Sequence, residues 1–195
     1  DKRTILKDIV QRVAKEIFIH FTVGGGIDSV EMIKEVLDLG ADKVSLNTAA
    51  LRNPQLIYDA AHHFGSQCIV IAVDVKRRIK HDALPNVSSS LPEHLHSTSQ
   101  SLYDVYSHGG RHNIGLDALK WIQYCESLGA GECLLTSMDR DGTNDGYDAD
   151  LLSKVQSLVN IPVIASGGAG SIQDIYDALT IIQHRGQDAA GIMTS

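Results

Sequence analysis

Apolar residues along the first forty positions change their spacing twice. Ile5, Ile9, Val13 and Ile17 recur every four residues, Ile19 to Val23 form a compact run, and Val30, Ile33, Val36 and Leu37 return to a helical spacing. The pattern predicts helix, strand, helix. The strand ends at Gly24-Gly25-Gly26, Asp28 or Ser29 suits the cap of the second helix, and Gly40 closes it. A second unit follows, with a strand over Lys43-Val44-Ser45-Leu46-Asn47 ending in Thr48 and a helix from Asn53-Pro54 to about Phe64. Cys68 to Val73 is nearly continuous in apolar residues, as suits a strand buried on both faces, and Asp74 stands at its carboxyl end.

The stretch 76–113 is rich in serine, histidine and other polar residues and contains Pro85 and Pro92, so it is expected as a long surface loop, with a strand pair around Leu102 to Ser107. Beyond it, Leu116, Leu119, Ile122 and Cys125 predict a helix closed by Gly129, and Glu132 to Ser137 a strand. Another helix carries Leu151, Leu152, Val155 and Leu158. A strand from Ile161, a helix around Ile172 to Ile182 and a last apolar piece, Ala189 to Thr194, complete the chain.

Strands alternating with helices imply parallel pairing with right-handed crossovers. About six strands, each with polar or glycine-rich residues after it, fit an α/β fold of the (β/α)8 TIM-barrel type, whose ligands lie at the carboxyl ends of the strands. Such a barrel has eight strands and typically about 250 residues. The expectation is therefore a single domain over residues 1–195 that is an incomplete barrel, without the first two strands and the last helix.

One local pattern occurs twice. Ile19-His20-Phe21-Thr22-Val23-Gly24-Gly25-Gly26-Ile27-Asp28-Ser29 and Ile161-Pro162-Val163-Ile164-Ala165-Ser166-Gly167-Gly168-Ala169-Gly170-Ser171 share isoleucine, a glycine pair and serine at identical spacing. Glycine after a strand lets the backbone come close to a ligand, and the N–H groups of the turn can then hold a phosphate. Composition narrows the ligand further. A formal net charge of −7 disfavours nucleic acid and polybasic membrane contact, so no nucleic-acid or membrane partner is expected. A phosphate would be held mainly by neutral N–H groups.

Cys68, Cys125 and Cys133 are odd in number and lie in apolar settings, which favours reduced core thiols over disulfides or a metal site. His81, His94, His96, His108 and His112 gather in or beside the polar stretch, but their irregular spacing favours solvated loop histidines over metal ligands, and no cofactor is expected. Without a signal-peptide layout or an apolar run near 20 residues, the expected location is the cytoplasm.

The blocks Val23-Gly24-Gly25-Gly26-Ile27, Gly40 to Ala50, Leu134 to Thr143, Gly146-Tyr147-Asp148 and Ala165 to Gly170 resemble, in order, the imidazole glycerol phosphate synthase cyclase family of histidine biosynthesis. The resemblance implies a lyase that uses ammonia from a glutaminase partner, as subunit or fused domain. It would convert phosphoribulosyl-formimino aminoimidazole carboxamide ribotide, a substrate with a phosphate at each end, into imidazole glycerol phosphate and the carboxamide ribotide. By the same resemblance, one phosphate is held by Gly25, Gly26, Asn47 and Thr48, and the other by Ser166, Gly168 and Thr194. Asp74 matches the family's fifth-strand catalytic aspartate, whereas the first-strand aspartate has no counterpart in this sequence. Thr136, Asp141 and Gly142 match positions beside the substrate, and Lys43 and Glu132 match a charged ammonia gate at the amino-end face.

Each residue has a plainer alternative: for Asp74 a cap or an ion pair with Lys76 or Arg77, for Asp141 a turn, for Thr136 an ordinary β-branched strand position, for Lys43 and Glu132 a structural ion pair. Two other functions stay open from the residues. One is the sister phosphoribosyl-formimino isomerase on the same barrel, and the other is a catalytically inert phosphate-binding piece.

Overall fold

A computed structural model describes residues 2–79, 87, 91–183 and 191–193. Six parallel strands run in the order β1 (Thr22–Gly24), β2 (Lys43–Leu46), β3 (Ile69–Arg77), β6 (Glu132–Ser137), β7 (Val163–Ser166) and β8 (Gly191–Met193). The remaining two, β4 (Tyr103–Ser107) and β5 (His112–Asp117), form an antiparallel hairpin attached to β3. Among the described residues β1 and β8 do not pair with each other, so the sheet is open. Helices α1 (Lys2–Glu16), α2 (Val30–Asp38), α3 (Thr48–Arg52), α4 (Gln55–Phe64), α5 (Ala118–Ser127), α6 (Ala149–Leu158) and α7 (Ile172–Gln183) fill the connections.

Burial alternates along β2 and β6 and, beyond the fully buried Val70, along β3 as far as Val75, because one face meets helices and the other the barrel interior. Val44, Leu46, Ile69, Ile71, Val73, Val75, Cys133, Leu135, Val163 and Ala165 are buried on the helix side. They pack with Ile33 and Val36 of α2, Leu56 and Ile57 of α4, Trp121 and Ile122 of α5, Leu151 and Val155 of α6 and Ile182 of α7. The opposite face presents Lys43, Ser45, Ala72, Asp74, Glu132, Leu134 and Thr136, all half-buried. The core thus lies between sheet and helices, and the polar residues are left to the inner face.

Several sequence expectations are corrected by packing. Among the described side chains of α1 the buried one is Val10, while Ile9 is 50% exposed, because the helix packs on the core through Val10 and through Ala14 against Gly40. The run from Ile19 becomes strand only at Thr22, the first residue with a partner in β2. A separate helix, α3, precedes the predicted one at Pro54. Leu116 belongs to β5 rather than to a helix, which begins after Asp117, whose carboxylate caps it by accepting from the N–H groups of Leu119 and Lys120.

Within the polar stretch, Asp104 is 3% exposed yet fully partnered: Arg78, Ser97 and Asn113 all donate to it. This satisfies the charge that burial would otherwise penalise and ties the hairpin to β3. The three cysteines are free thiols, and burial raises both the Cys133 thiol, to about 12, and the Cys125 thiol. Such thiols are unreactive core residues.

Candidate functional site

The strand registers gather the polar inner-face residues into rows. Asp74 pairs in register with Thr136, and Thr136 with Ser166, so these three candidate residues stand side by side in one row, near the ends of β6 and β7 but within β3, which runs past the expected end at Asp74 to Arg77 because β4 pairs with its last residues. Asn47 follows β2 directly, and its side-chain Nδ2 donates to Asp74 Oδ2 at 3.3 Å. Asp74 has neither an ion pair with Lys76 or Arg77 nor a capping role. Arg77 instead turns to Tyr103, Asp148 and Asp150. Burial raises the Asp74 carboxyl above its usual value, the Asn47 hydrogen bond opposes this, and the charge of Asp141 adds to it. A carboxyl raised toward neutrality can exchange a proton with a reacting group.

β3 is the middle strand of the path β1-β2-β3-β6-β7. It lies two strands from each glycine turn, so at about 4.8 Å per strand the turns are roughly 19 Å apart along the sheet with Asp74 halfway. Both turns reproduce the sequence duplication in their backbones: φ is 92° and 72° at Gly25 and Gly26, and 91° and 105° at Gly167 and Gly168. Their surroundings differ. A Cβ at Gly25 or Gly26 would meet nothing within 4 Å, whereas at Gly168 it would lie 2.4 Å from the Gly146 carbonyl oxygen. The first turn opens into a cavity of about 490 Å³, which Asn47 and Thr48 also line. The second is packed beneath the loop after β6, where the Gly146 N–H donates to the Gly168 carbonyl at 2.7 Å.

In that loop, the N–H of Asp141 donates to the Ser137 carbonyl at 2.9 Å, which holds Asp141 and Gly142 over the carboxyl ends. Gly142 has φ 73° with open space where a Cβ would be. At the other end of the strands Lys43 and Glu132 form an ion pair, their side chains 26% and 16% exposed. Thr194 lies outside the described residues.

Of the loop histidines, His108 and His112 contact each other edge to face with centroids 5.2 Å apart, His94 packs on Tyr124, and His96 contacts the Leu91 carbonyl. His81 is outside the described residues. Among the described residues no group of three or more His, Cys, Asp or Glu side chains could hold a metal ion. Sequence reasoning missed Ser45, Arg52 and His108 as cavity residues. Arg52 had a signal in its place four residues after Thr48 on the same helix. His108 had none, because only the hairpin brings it there.

The model of the histidine biosynthesis protein family matches residues 1–193. The chain is 49% identical over all 195 residues to imidazole glycerol phosphate synthase subunit HisF of Prochlorococcus marinus (strain MIT 9312), covering 68% of that protein. It is 47% identical over 190 residues to the HisF subunit of Lactococcus lactis subsp. lactis (strain IL1403), covering 65% of it.

Proposed function

The chain belongs to the histidine biosynthesis family, whose fold is the (β/α)8 barrel, and carries the cyclase role of imidazole glycerol phosphate synthase; on that premise we propose how its residues divide the work. Gly25, Gly26, Asn47 and Thr48 hold one phosphate of the substrate. Ser166 and Gly168, with Thr194, hold the other. Asp74 serves the reacting centre as one of the two proton-transfer groups that ring closure with loss of a leaving group requires. Thr136 and Asp141 flank it, and Gly142 leaves room for the substrate.

The observation that carries this reading is the position of Asp74 halfway between two duplicated glycine turns, in the row it shares with Thr136 and Ser166. A substrate with a phosphate at each end, held at both turns, sets its middle against that carboxyl group. Holding both ends also turns the attack of ammonia into a reaction at a fixed site.

Ammonia has to arrive without being protonated or lost to water, and the Lys43–Glu132 pair stands at the opposite, amino-end face of the same strands. We assign it the gate through which ammonia enters from a glutaminase partner. The relatives are named as synthase subunits, which supports such a partner. The cytoplasm is the compartment this biosynthetic role suits, and among the described residues no helix is long and apolar enough to cross a membrane.

Replacing Asp74 by Asn in the full-length protein tests the assignment. Ammonium-driven turnover is expected to fall by about 10²–10⁴-fold, the usual contribution of a positioned acid–base group, with KM little changed. Wild-type turnover in Asp74→Asn would remove the catalytic role.

A further inference from the structure

The first phosphate turn has a side-chain component that neither the glycines nor the resemblance supplies, and the strand registers show how it arises. β6 pairs with β3 from Val70 to Val75 along one edge. β2 pairs with the other edge only from Ile69 to Ile71, and β4 takes over that edge, antiparallel, from Asp74 to Arg77. β4 therefore descends toward the carboxyl end of β2, and its turn into β5 lies just beyond Asn47 and Thr48. His108 and Gly109 of that turn line the same 490 Å³ cavity as Gly25, Gly26, Asn47 and Thr48, and Arg52 lines it from the end of α3.

The turn holds His108 in a costly conformation. His108, Gly109 and Gly110 all have positive φ, at 54°, 66° and 75°, and the turn closes with the Arg111 N–H donating to the Ser107 carbonyl at 3.0 Å. A non-glycine residue in the left-handed region is uncommon and costs free energy, which makes such a position a candidate for function. The Nδ1 of His108 is 2.9 Å from the hydroxyl oxygen of Ser107, a residue 1% exposed, so a buried hydroxyl fixes the ring and leaves Nε2 unbound. Arg52 has no ion-pair partner among the described residues. The cavity is also lined by Asp28, whose charge repels a phosphate dianion. A cation beside the turn is what that balance lacks.

We propose that Arg52 and His108 are positioning residues that clamp the phosphate at the first glycine turn, Arg52 as the counter-charge to the dianion and His108 as a hydrogen-bond donor through Nε2. This rests on the assignment of that turn as a phosphate site. The two side chains come from segments more than fifty residues apart and line one cavity together with Gly25 and Gly26. The clamp makes affinity for the phosphorylated end depend on the hairpin as well as on the glycines. Arg in this place gives charge-assisted hydrogen bonds of the kind preferred for phosphate.

The test uses Arg52→Gln, Arg52→Lys and His108→Asn in the full-length protein, with two readouts. In ammonium-driven turnover, Arg52→Gln and His108→Asn are each expected to raise KM about tenfold while kcat changes less than about twofold, the mark of lost ground-state binding. Arg52→Lys should restore most of the Arg52→Gln loss. Inorganic phosphate, titrated while thermal unfolding is followed, should raise the midpoint of the wild-type protein and raise it less in Arg52→Gln and His108→Asn. Unchanged KM and an unchanged phosphate response overturn the clamp, and so does a fall in kcat with KM unchanged. A phosphate response that depends on both residues in a wild-type protein without turnover would retain the clamp and reject the cyclase assignment, so the two failures are distinguishable.

Discussion

Gly26 and Gly168 are the same residue of a duplicated turn, and alanine should affect them very differently. Both have positive φ, 72° and 105°, so alanine pays a backbone strain of about 1–2 kcal/mol at either. At Gly26 nothing lies within 4 Å of the added Cβ, and the cost stops there. At Gly168 the Cβ would sit 2.4 Å from the Gly146 carbonyl oxygen and 2.9 Å from Arg140 Cβ. The first contact is with backbone that is itself fastened, since the Gly146 N–H donates back to Gly168. Overpacking of this kind adds about 1–3 kcal/mol, for a total near 2–5 kcal/mol.

Urea unfolding followed by circular dichroism reads the difference directly. With a slope of about 2 kcal/mol per molar, the midpoint should fall by roughly 0.5–1 M in Gly26→Ala and roughly 1–2.5 M in Gly168→Ala. The order should reverse in substrate affinity, because the methyl at position 26 projects into the open space proposed for the phosphate. Equal midpoint losses, or a larger loss at Gly26, would refute the argument that one turn is packed and the other is open.

Two more predictions concern the polar rows. Because the Asp74 carboxyl is raised in the folded protein, chiefly by burial, the folded state holds its proton more tightly than the unfolded chain, and stability must fall as pH rises from the ordinary carboxylate value through the raised one. Asp74→Asn, which can still accept from Asn47, should therefore stabilise the protein at neutral pH and lose that advantage below the ordinary carboxylate range; midpoints of thermal unfolding across pH check this, and a destabilised variant at neutral pH contradicts it. Lys43→Met leaves Glu132 unpaired and should cost about 1–3 kcal/mol, between the limits for exposed and buried pairs, while Lys43→Met with Glu132→Leu recovers most of it. If the pair is the ammonia gate, the double variant should lose glutamine-driven turnover more than ammonium-driven turnover, and equal effects on both would leave the pair structural.

What the sequence determined by itself follows from local physics. The 3.6- and 2-residue periods, the capping Ser29 and the glycines at strand ends are properties of neighbouring residues, so six parallel strands, their order of alternation with helices and both glycine turns were legible. Asp74 was legible for the same reason, as a carboxylate just past an apolar run. Tertiary structure decided what depends on residues distant in the chain. Val10 rather than Ile9 is buried because of where α1 meets Gly40, and Leu116 is strand because β4 is there to pair with its strand. The two turns have one sequence pattern and two environments, open at Gly26 and packed at Gly168, because only the second lies under the loop after β6. The clearest case is His108, a histidine in a polar stretch by composition. It reaches the first glycine turn only because β2 ends early along β3 and leaves that edge for the hairpin to occupy.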